Sequence, residues 1–185
     1  MEYLRIDDHL QLERIKLSYA EIIFEAINKN RTFLKKWLPF VDQTRKVSDT
    51  EDFIKSVLNI PLTKRDEIYS IWYKGEFAGL IAYKETDHLN CKTELGYWLI
   101  ESFQGKGIMT KSVSKLVDFA FRNLNLNRVQ IKVAVGNEKS SAIAKRLNFQ
   151  FEGIERDGEK HHNKFLNLEV YSFLKKEWIE MIAKA

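Results

Sequence analysis

Cysteine is almost absent: Cys91 stands alone among 185 residues. One thiol can close no intrachain disulfide and complete no cysteine-based zinc site, and this usage suits a reducing compartment. Flanked by Asn90 and Lys92, it has no base beside it for acyl-enzyme chemistry. Proline occurs only at Pro39 and Pro61, there are eight glycines, and no Ser-, Gln- or Pro-rich tract or internal repeat interrupts the chain, so one continuous domain over 1–185 is expected. No apolar run approaches the roughly 18 residues of a membrane-spanning helix, and MEYLRIDDHLQ, charged from its second residue, is unlike a secretory leader. A cytoplasmic protein without a membrane partner is the expectation. Neither sign of charge dominates: 30 Lys and Arg stand against 26 Asp and Glu, a formal +4. The two signs are interspersed, and no basic run interleaves Trp37, Trp72, Trp98 or Trp178, so no nucleic-acid partner is indicated.

What is present is periodic. Ser18 and Glu21 have capping-box spacing, and Ala20, Ile23, Phe24 and Ile27 follow at i, i+3, i+4 and i+7, predicting an amphipathic helix over 18–30. Ser48 with Glu51 repeats the signal ahead of Phe53, Ile54, Val57 and Leu58, in a helix that should stop near Pro61. RTFLKKWLPF between them reads as a short helical turn closed by Pro39. IYSIWYKGEFAGLIAY, rich in β-branched and aromatic residues around Lys74-Gly75-Glu76, predicts a hairpin, and TELGYWLI a third strand. Val113, Leu116, Val117, Ala120 and Phe121 mark a helix from about 108 to 122, and RVQIKVAV at 128–135 a central strand. Asn137 can cap a helix bearing Ile143 and Leu147, with Asn148 in the left-handed position beyond its end. FQFEGIE and FLNLEVYSF, with alternating Leu166, Leu168 and Val170, supply two more strands. LKKEWIEMIAKA supplies an end helix whose Trp178, Ile179 and Ile182 pack on the same chain or across a homodimer. Helices first, then antiparallel strands, then strands alternating with helices argue for an α/β protein built on a sheet of mixed direction.

ELGYWLIESFQGKGIMTKS runs a strand through a glycine-spaced turn into a helix, which makes an anion site: small residues admit a ligand close to the backbone, and the first-turn N–H groups and dipole face it. The alternative is a loop that only turns the chain. It is not a P-loop, because Ile100 stands where the first glycine is required, nor the dinucleotide fingerprint, because Thr110 occupies the third glycine's place. No serine sits in a Gly-x-Ser-x-Gly elbow. His161 and His162 would project to opposite sides of an extended chain, so they form a poor metal pair and read as surface histidines; no metal is expected.

Two segments in order resemble the GNAT acetyltransferase superfamily. Gln104-Gly105-Lys106-Gly107-Ile108-Met109 is similar to its acetyl-CoA pyrophosphate loop, departing at Met109, and VGNEKSSAIAKRLNF to its next strand and helix. KKWLPF, ELGYW and EGIERDGEKHHNKFLNLEVYSF resemble more narrowly the RimL/RimJ-type branch, which acetylates N-terminal α-amino groups of ribosomal proteins. The resemblance implies a GNAT-type mixed, largely antiparallel sheet flanked by helices. It also implies direct acetyl transfer from acetyl-CoA to an amine, in a ternary complex with the N-terminus of a protein, ribosomal in that branch. Such a transfer needs a base for the amine's proton, donors for the carbonyl oxygen and a proton for the thiolate. By the resemblance, Gln104, Gly105, Lys106, Gly107, Ile108, Met109 and Thr110 hold the pyrophosphate, mainly through backbone N–H, with Lys106 and Lys111 as helpers. Asn137 holds pantetheine and Ser140 hydrogen-bonds the thiolate, since Ala144 stands where many members carry a tyrosine. Glu159, placed in the loop DGEKHHNK, is the expected base. Glu94, on the third strand of that reading, competes with it, and its plainer role is a charge paired with a neighbouring Lys or Arg. Backbone N–H groups near Leu99 and Ile100 are expected to meet the carbonyl oxygen. A small amine such as a polyamine or aminoglycoside as acceptor, or a CoA-binding module without catalysis, are the alternatives.

Overall fold

The chain begins with strands, not helices. Leu4, Leu10 and Leu12 are buried between polar neighbours, an alternation that makes β1 (Tyr3–Arg5) and β2 (Leu10–Arg14) an antiparallel hairpin. The expectation of helices first missed it because β1 has three residues and the acidic turn after it offers no apolar run. The computed structural model describes residues 3–61 and 65–184. After the hairpin come α1 (Ala20–Lys29), α2 (Arg31–Leu34), α3 (Val47–Leu58), β3 (Ile68–Tyr73), β4 (Glu76–Asp87), β5 (Lys92–Leu99), α4 (Ile108–Arg122), β6 (Arg128–Ala134), α5 (Glu138–Arg146), β7 (Gln150–His161), β8 (Lys164–Leu174) and α6 (Lys175–Ile182). The eight strands form one sheet in the order β1-β2-β3-β4-β5-β6-β8-β7. β5 and β6 run parallel, while β1 with β2, β2 with β3, β3 with β4, β6 with β8 and β7 with β8 are antiparallel, giving the α/β, largely antiparallel sheet expected.

Contacts gather into two compact units. The first comprises Met1–Ala82 with Tyr97–Ile108. Its core joins Ile15, Ala20, Ile23, Ala26 and Ile27 to Leu34, Val41, Ile54, Phe77, Leu80 and Trp98, with Leu38, Trp72 and Ile100 packed against them. Neither serine capping box forms. Leu17–Tyr19 make a 3-10 turn, so α1 starts after Ser18 has passed. At α3 it is Asp49 that caps, its Oδ2 accepting the N–H groups of Arg45 at 2.8 Å and Lys46 at 3.0 Å. Of that helix's expected stripe only Ile54 is buried, beside Thr50. Pro39 opens a second 3-10 turn, Pro39–Asp42, as its fixed φ favours. Lys74 and Gly75, at φ +53° and +81°, close the predicted hairpin.

The second unit comprises Tyr83–Gly96 with Met109–Ala185. Val113, Leu116, Val117, Ala120 and Phe121 of α4 are buried as their spacing predicts, and the Tyr83 hydroxyl donates to the Leu116 carbonyl at 2.6 Å. Phe121 packs on Phe173 and on Trp178 of α6, so Trp178 is engaged within the chain while Ile179 and Ile182 stay exposed. The parallel ladder pairs Lys92–Glu94 with Arg128–Gln130 and stops there, although both strands run on. Arg128 grips Glu152 with two guanidinium bonds of 2.6 Å, and Ser172 adds a third at 2.7 Å. Arg128 first, then Ser172, hold the Glu152 carboxyl down at about 2.

Candidate active site

The passage from β5 into α4 has the geometry its glycines suggested. Glu101–Phe103 form a 3-10 turn, Gln104 is extended, and Gly105 and Gly107 both sit at φ +74°, where a side chain is strained. A Cβ at either glycine would meet nothing within 4 Å, so glycine is needed there for the backbone and the space beside the turn is open. Gly105, Lys106 and Gly107 are exposed; Ile108 and Met109 are buried, so the departure at Met109 points inward and does not crowd the open side. α4 then runs 15 residues from the end of the turn, and a helix carries its positive dipole end and its unpaired first-turn N–H groups at that end. Arg146 at the end of α5 donates to Thr110 Oγ1 at 3.4 Å, adding a cation that no local sequence signal places beside α4. The Lys106 ammonium lies 5.0 Å over the Phe103 ring.

Asn137 and Ser140 meet at the start of α5. Asn137 is its N-cap, with Oδ1 accepting the Ser140 N–H at 3.4 Å, and Asn148 closes the helix at φ +58° as predicted. Both Asn137 and Ser140 are half-buried. Ala144 is wholly buried, so its methyl belongs to the core. Burial first, then its bond to Glu169 at 2.8 Å, push the Tyr171 hydroxyl up to about 12.

Glu94 and Glu159 share one face of the sheet. Glu94 lies opposite Gln130, Gln130 opposite Ser172, and Leu168 and Leu166, on the same side of β8 as Ser172, lie opposite Glu155 and Glu159. Three strand intervals, about 14 Å at the usual spacing, and a shift of six residues along β8 from Ser172 to Leu166, about 20 Å, separate them, so they are alternatives and not a carboxylate pair. Glu94 is buried and engaged: Lys84 Nζ lies 2.9 Å from Oε1, Gln130 Nε2 3.4 Å and Lys132 Nζ 3.9 Å from Oε2. Gly96 makes this possible, because a Cβ there would fall 2.6 Å from Lys84 Cδ. Lys132 also pairs with Glu155 at 2.9 Å, and that carboxylate holds its ammonium above the usual lysine range.

Glu159 is on β7, not in a loop. Glu155 faces Leu168 and Glu159 faces Leu166, so β7 takes four steps to its partner's two. The extra residues bulge at Asp157, φ +53°, whose N–H donates to Asn167 Oδ1 at 2.9 Å. Turn-forming residues that predicted a loop instead bend a strand. Glu159 is half-buried, and among the described residues its carboxylate makes no hydrogen bond or ion pair.

Two further expectations change. The Ile100 N–H donates to the Ala78 carbonyl at 2.8 Å, so that one of the expected oxyanion donors is taken up by the chain itself. His161 is buried, not on the surface, with Nδ1 unbonded. The His162 ring turns back to 4.3 Å from it because His162 has φ +54°. No three His, Cys, Asp or Glu among the described residues are placed to hold a metal ion.

A mixed sheet that feeds a left-handed glycine turn into one helix and an asparagine cap into the next defines an α/β enzyme built around an anionic cofactor. The family model described as "Acetyltransferase (GNAT) domain" matches residues 9–150. The putative ribosomal N-acetyltransferase YdaF of Bacillus subtilis (strain 168) is 36% identical over 180 residues, 94% of this chain and 96% of its own. A spermidine N(1)-acetyltransferase of Escherichia coli (strain K12) is 33% identical over 156 residues, 84% of this chain and 76% of its own. Among solved structures, RimL, a ribosomal L7/L12 alpha-N-protein acetyltransferase in complex with coenzyme A, superposes with a TM-score of 0.90 at 25% identity, covering 95% of this chain and 99% of its own. The chain therefore belongs to the GNAT acetyltransferase family and is an N-acetyltransferase.

Proposed function

We propose that residues 1–185 act as one N-acetyltransferase domain that moves acetyl from acetyl-CoA to the N-terminal α-amino group of a protein, a ribosomal one by its likeness to YdaF and RimL. The observation that carries the reading is the pair of left-handed glycines opening α4 onto clear space. Gln104 to Thr110 hold the pyrophosphate through backbone N–H groups, with Lys106 and Lys111 as helpers and Arg146 beside Thr110. The Nδ2 of Asn137, whose Oδ1 is engaged in the cap, donates to pantetheine. The amine is deprotonated by Glu159, chosen over Glu94 because its carboxylate is uncommitted while three side chains crowd Glu94. The neutral nitrogen attacks the thioester carbon, its oxygen turned toward the Leu99 N–H. The C–S bond breaks as the amide forms, and the proton the nitrogen then loses reaches the thiolate through Ser140, giving N-acetyl product and CoA. The likeness to spermidine acetyltransferase favours a second reading, a small polyamine acceptor. If the chain forms a homodimer, Ile179 and Ile182 of α6, exposed together with Met181, are apolar residues available to make it. Mass spectrometry of acetylated peptides and of spermidine, each incubated with acetyl-CoA, tests both: a 42-dalton gain on the peptide N-terminus is expected, and a gain on spermidine alone overturns the protein-acceptor reading.

A further inference from the structure

The surplus charge of this chain has an address. Over 31–46 there are five cations, Arg31, Lys35, Lys36, Arg45 and Lys46, and one acid, Asp42; 5 − 1 is +4, the whole surplus of the protein, so the rest of the chain balances. The nearby acids of α3 are already engaged. Asp49 caps the helix, and Glu51 and Asp52 face Lys55 at 3.0 and 4.0 Å. Lys35 and Lys36 are exposed and make no ion pair among the described residues; the Lys36 ammonium lies 5.0 Å over the half-buried Trp37 ring, and Phe40 is exposed between the two basic pairs.

This stretch is held in place. The Arg31 guanidinium donates to the carbonyls of Val41 and, at 2.6 Å, Thr44, while Arg45 Nε donates to Asp42 O at 3.1 Å. Its inner side, Leu34, Leu38 and Val41, joins the cluster that contains Trp98 and Ile100 at the end of β5. Asn30 Oδ1, one residue before it, accepts the Glu101 N–H at 3.4 Å, three residues ahead of Gln104. A fixed basic and aromatic surface therefore stands beside the entrance to the cofactor turn, within one unit.

We propose that residues 31–46 dock the acceptor, and that the acceptor is a polypeptide whose segment behind its amino terminus is acidic. The inference rests on the protein-acceptor reading above. Carboxylates following the reacting amine meet Lys35, Lys36, Arg45 and Lys46, and apolar side chains meet Phe40; a polycationic amine is repelled by the same surface.

The test uses the full chain, acetyl-CoA and two fluorescent peptides that begin Ser-Ala and continue with Asp and Glu or with Lys and Arg. Initial rates and fluorescence anisotropy are both measured. The acidic peptide is expected to show KM and Kd on the order of tenfold lower than the basic one, a preference that shrinks as salt is raised to about 0.5 M. Lys35→Glu with Lys36→Glu should abolish that preference while leaving kcat and the KM for acetyl-CoA unchanged; Lys35→Ala with Lys36→Ala should fall between. Equal KM and Kd for the two peptides, or a preference that survives charge reversal, overturns the docking surface. If neither peptide is acetylated the protein-acceptor reading fails, and the anisotropy still decides whether the surface binds an acidic chain.

Discussion

Gly107 offers the sharpest test of how the cofactor turn works. It sits at φ +74°, and a Cβ built on it touches nothing within 4 Å, so Gly107→Ala introduces no clash and costs only the left-handed backbone, about 1–2 kcal/mol. That cost must appear in one of two quantities. If the free turn relaxes to a right-handed conformation, folding is spared and the turn must be restored on binding, so Kd for acetyl-CoA rises roughly 5- to 30-fold. If the turn cannot relax, affinity holds and the melting temperature falls by about 2–4 °C for each kcal/mol. Titration calorimetry with acetyl-CoA and thermal melts on the same preparation should together recover the full cost of about 1–2 kcal/mol. Gly107→Asn should cost less, because asparagine visits this region most readily, and Gly107→Val more, through its β-branch. The reasoning is refuted if alanine changes neither quantity, or if asparagine is as damaging as valine.

Other consequences follow from the same geometry. Glu159→Gln should lower kcat by about 10²- to 10⁴-fold with the KM for acetyl-CoA unchanged, whereas Glu94→Gln should appear mainly as lost stability on urea titration; the opposite pattern makes Glu94 the base. Because Arg128 depresses the folded-state carboxyl of Glu152 from 4.5 to about 2, its stabilisation is complete above about pH 4.5 and is lost as pH falls towards 2. Urea midpoints of Glu152→Gln and the parent protein should therefore converge across that window. Trp178→Ala removes a ring packed on Phe121 and under the Arg122 guanidinium and should cost about 3–5 kcal/mol; a smaller loss, with a change from dimer to monomer, would return Trp178 to an interface.

Elements whose whole signal is local are legible in the residues alone. The α4 stripe from Val113 to Phe121, the Lys74-Gly75 hairpin and the Asn137 and Asn148 ends of α5 each follow from spacing or from one residue's backbone preference. Elsewhere a neighbour distant in the chain decides the outcome. Ser18 loses its cap to a 3-10 turn that Ala20 joins through the core, and three-residue β1 exists because β2 pairs with it. Asp157-Gly158 carries turn chemistry, yet the Asn167 side chain and the β8 ladder make a bulge of it. At the site, the residue types are legible and their engagement is not. Nothing near Glu94 in sequence announces Lys84 and Lys132, nor anything near Thr110 the side chain of Arg146.

The bulge at Asp157 also bears on how the open edge of the sheet is guarded. β7 is the last strand of the sheet, twelve residues long, with Phe151 and Ile154 exposed along it. An unbroken edge of that length is a template on which another chain can add a strand and begin a fibril. The same four-for-two step that sets Glu159 in place interrupts the edge after Glu155 and surrounds the break with Arg156 and Asp157, both exposed. Deleting Arg156 and Asp157 would straighten β7 against β8 with Glu159 still opposite Leu166, and would leave a sticky, continuous border.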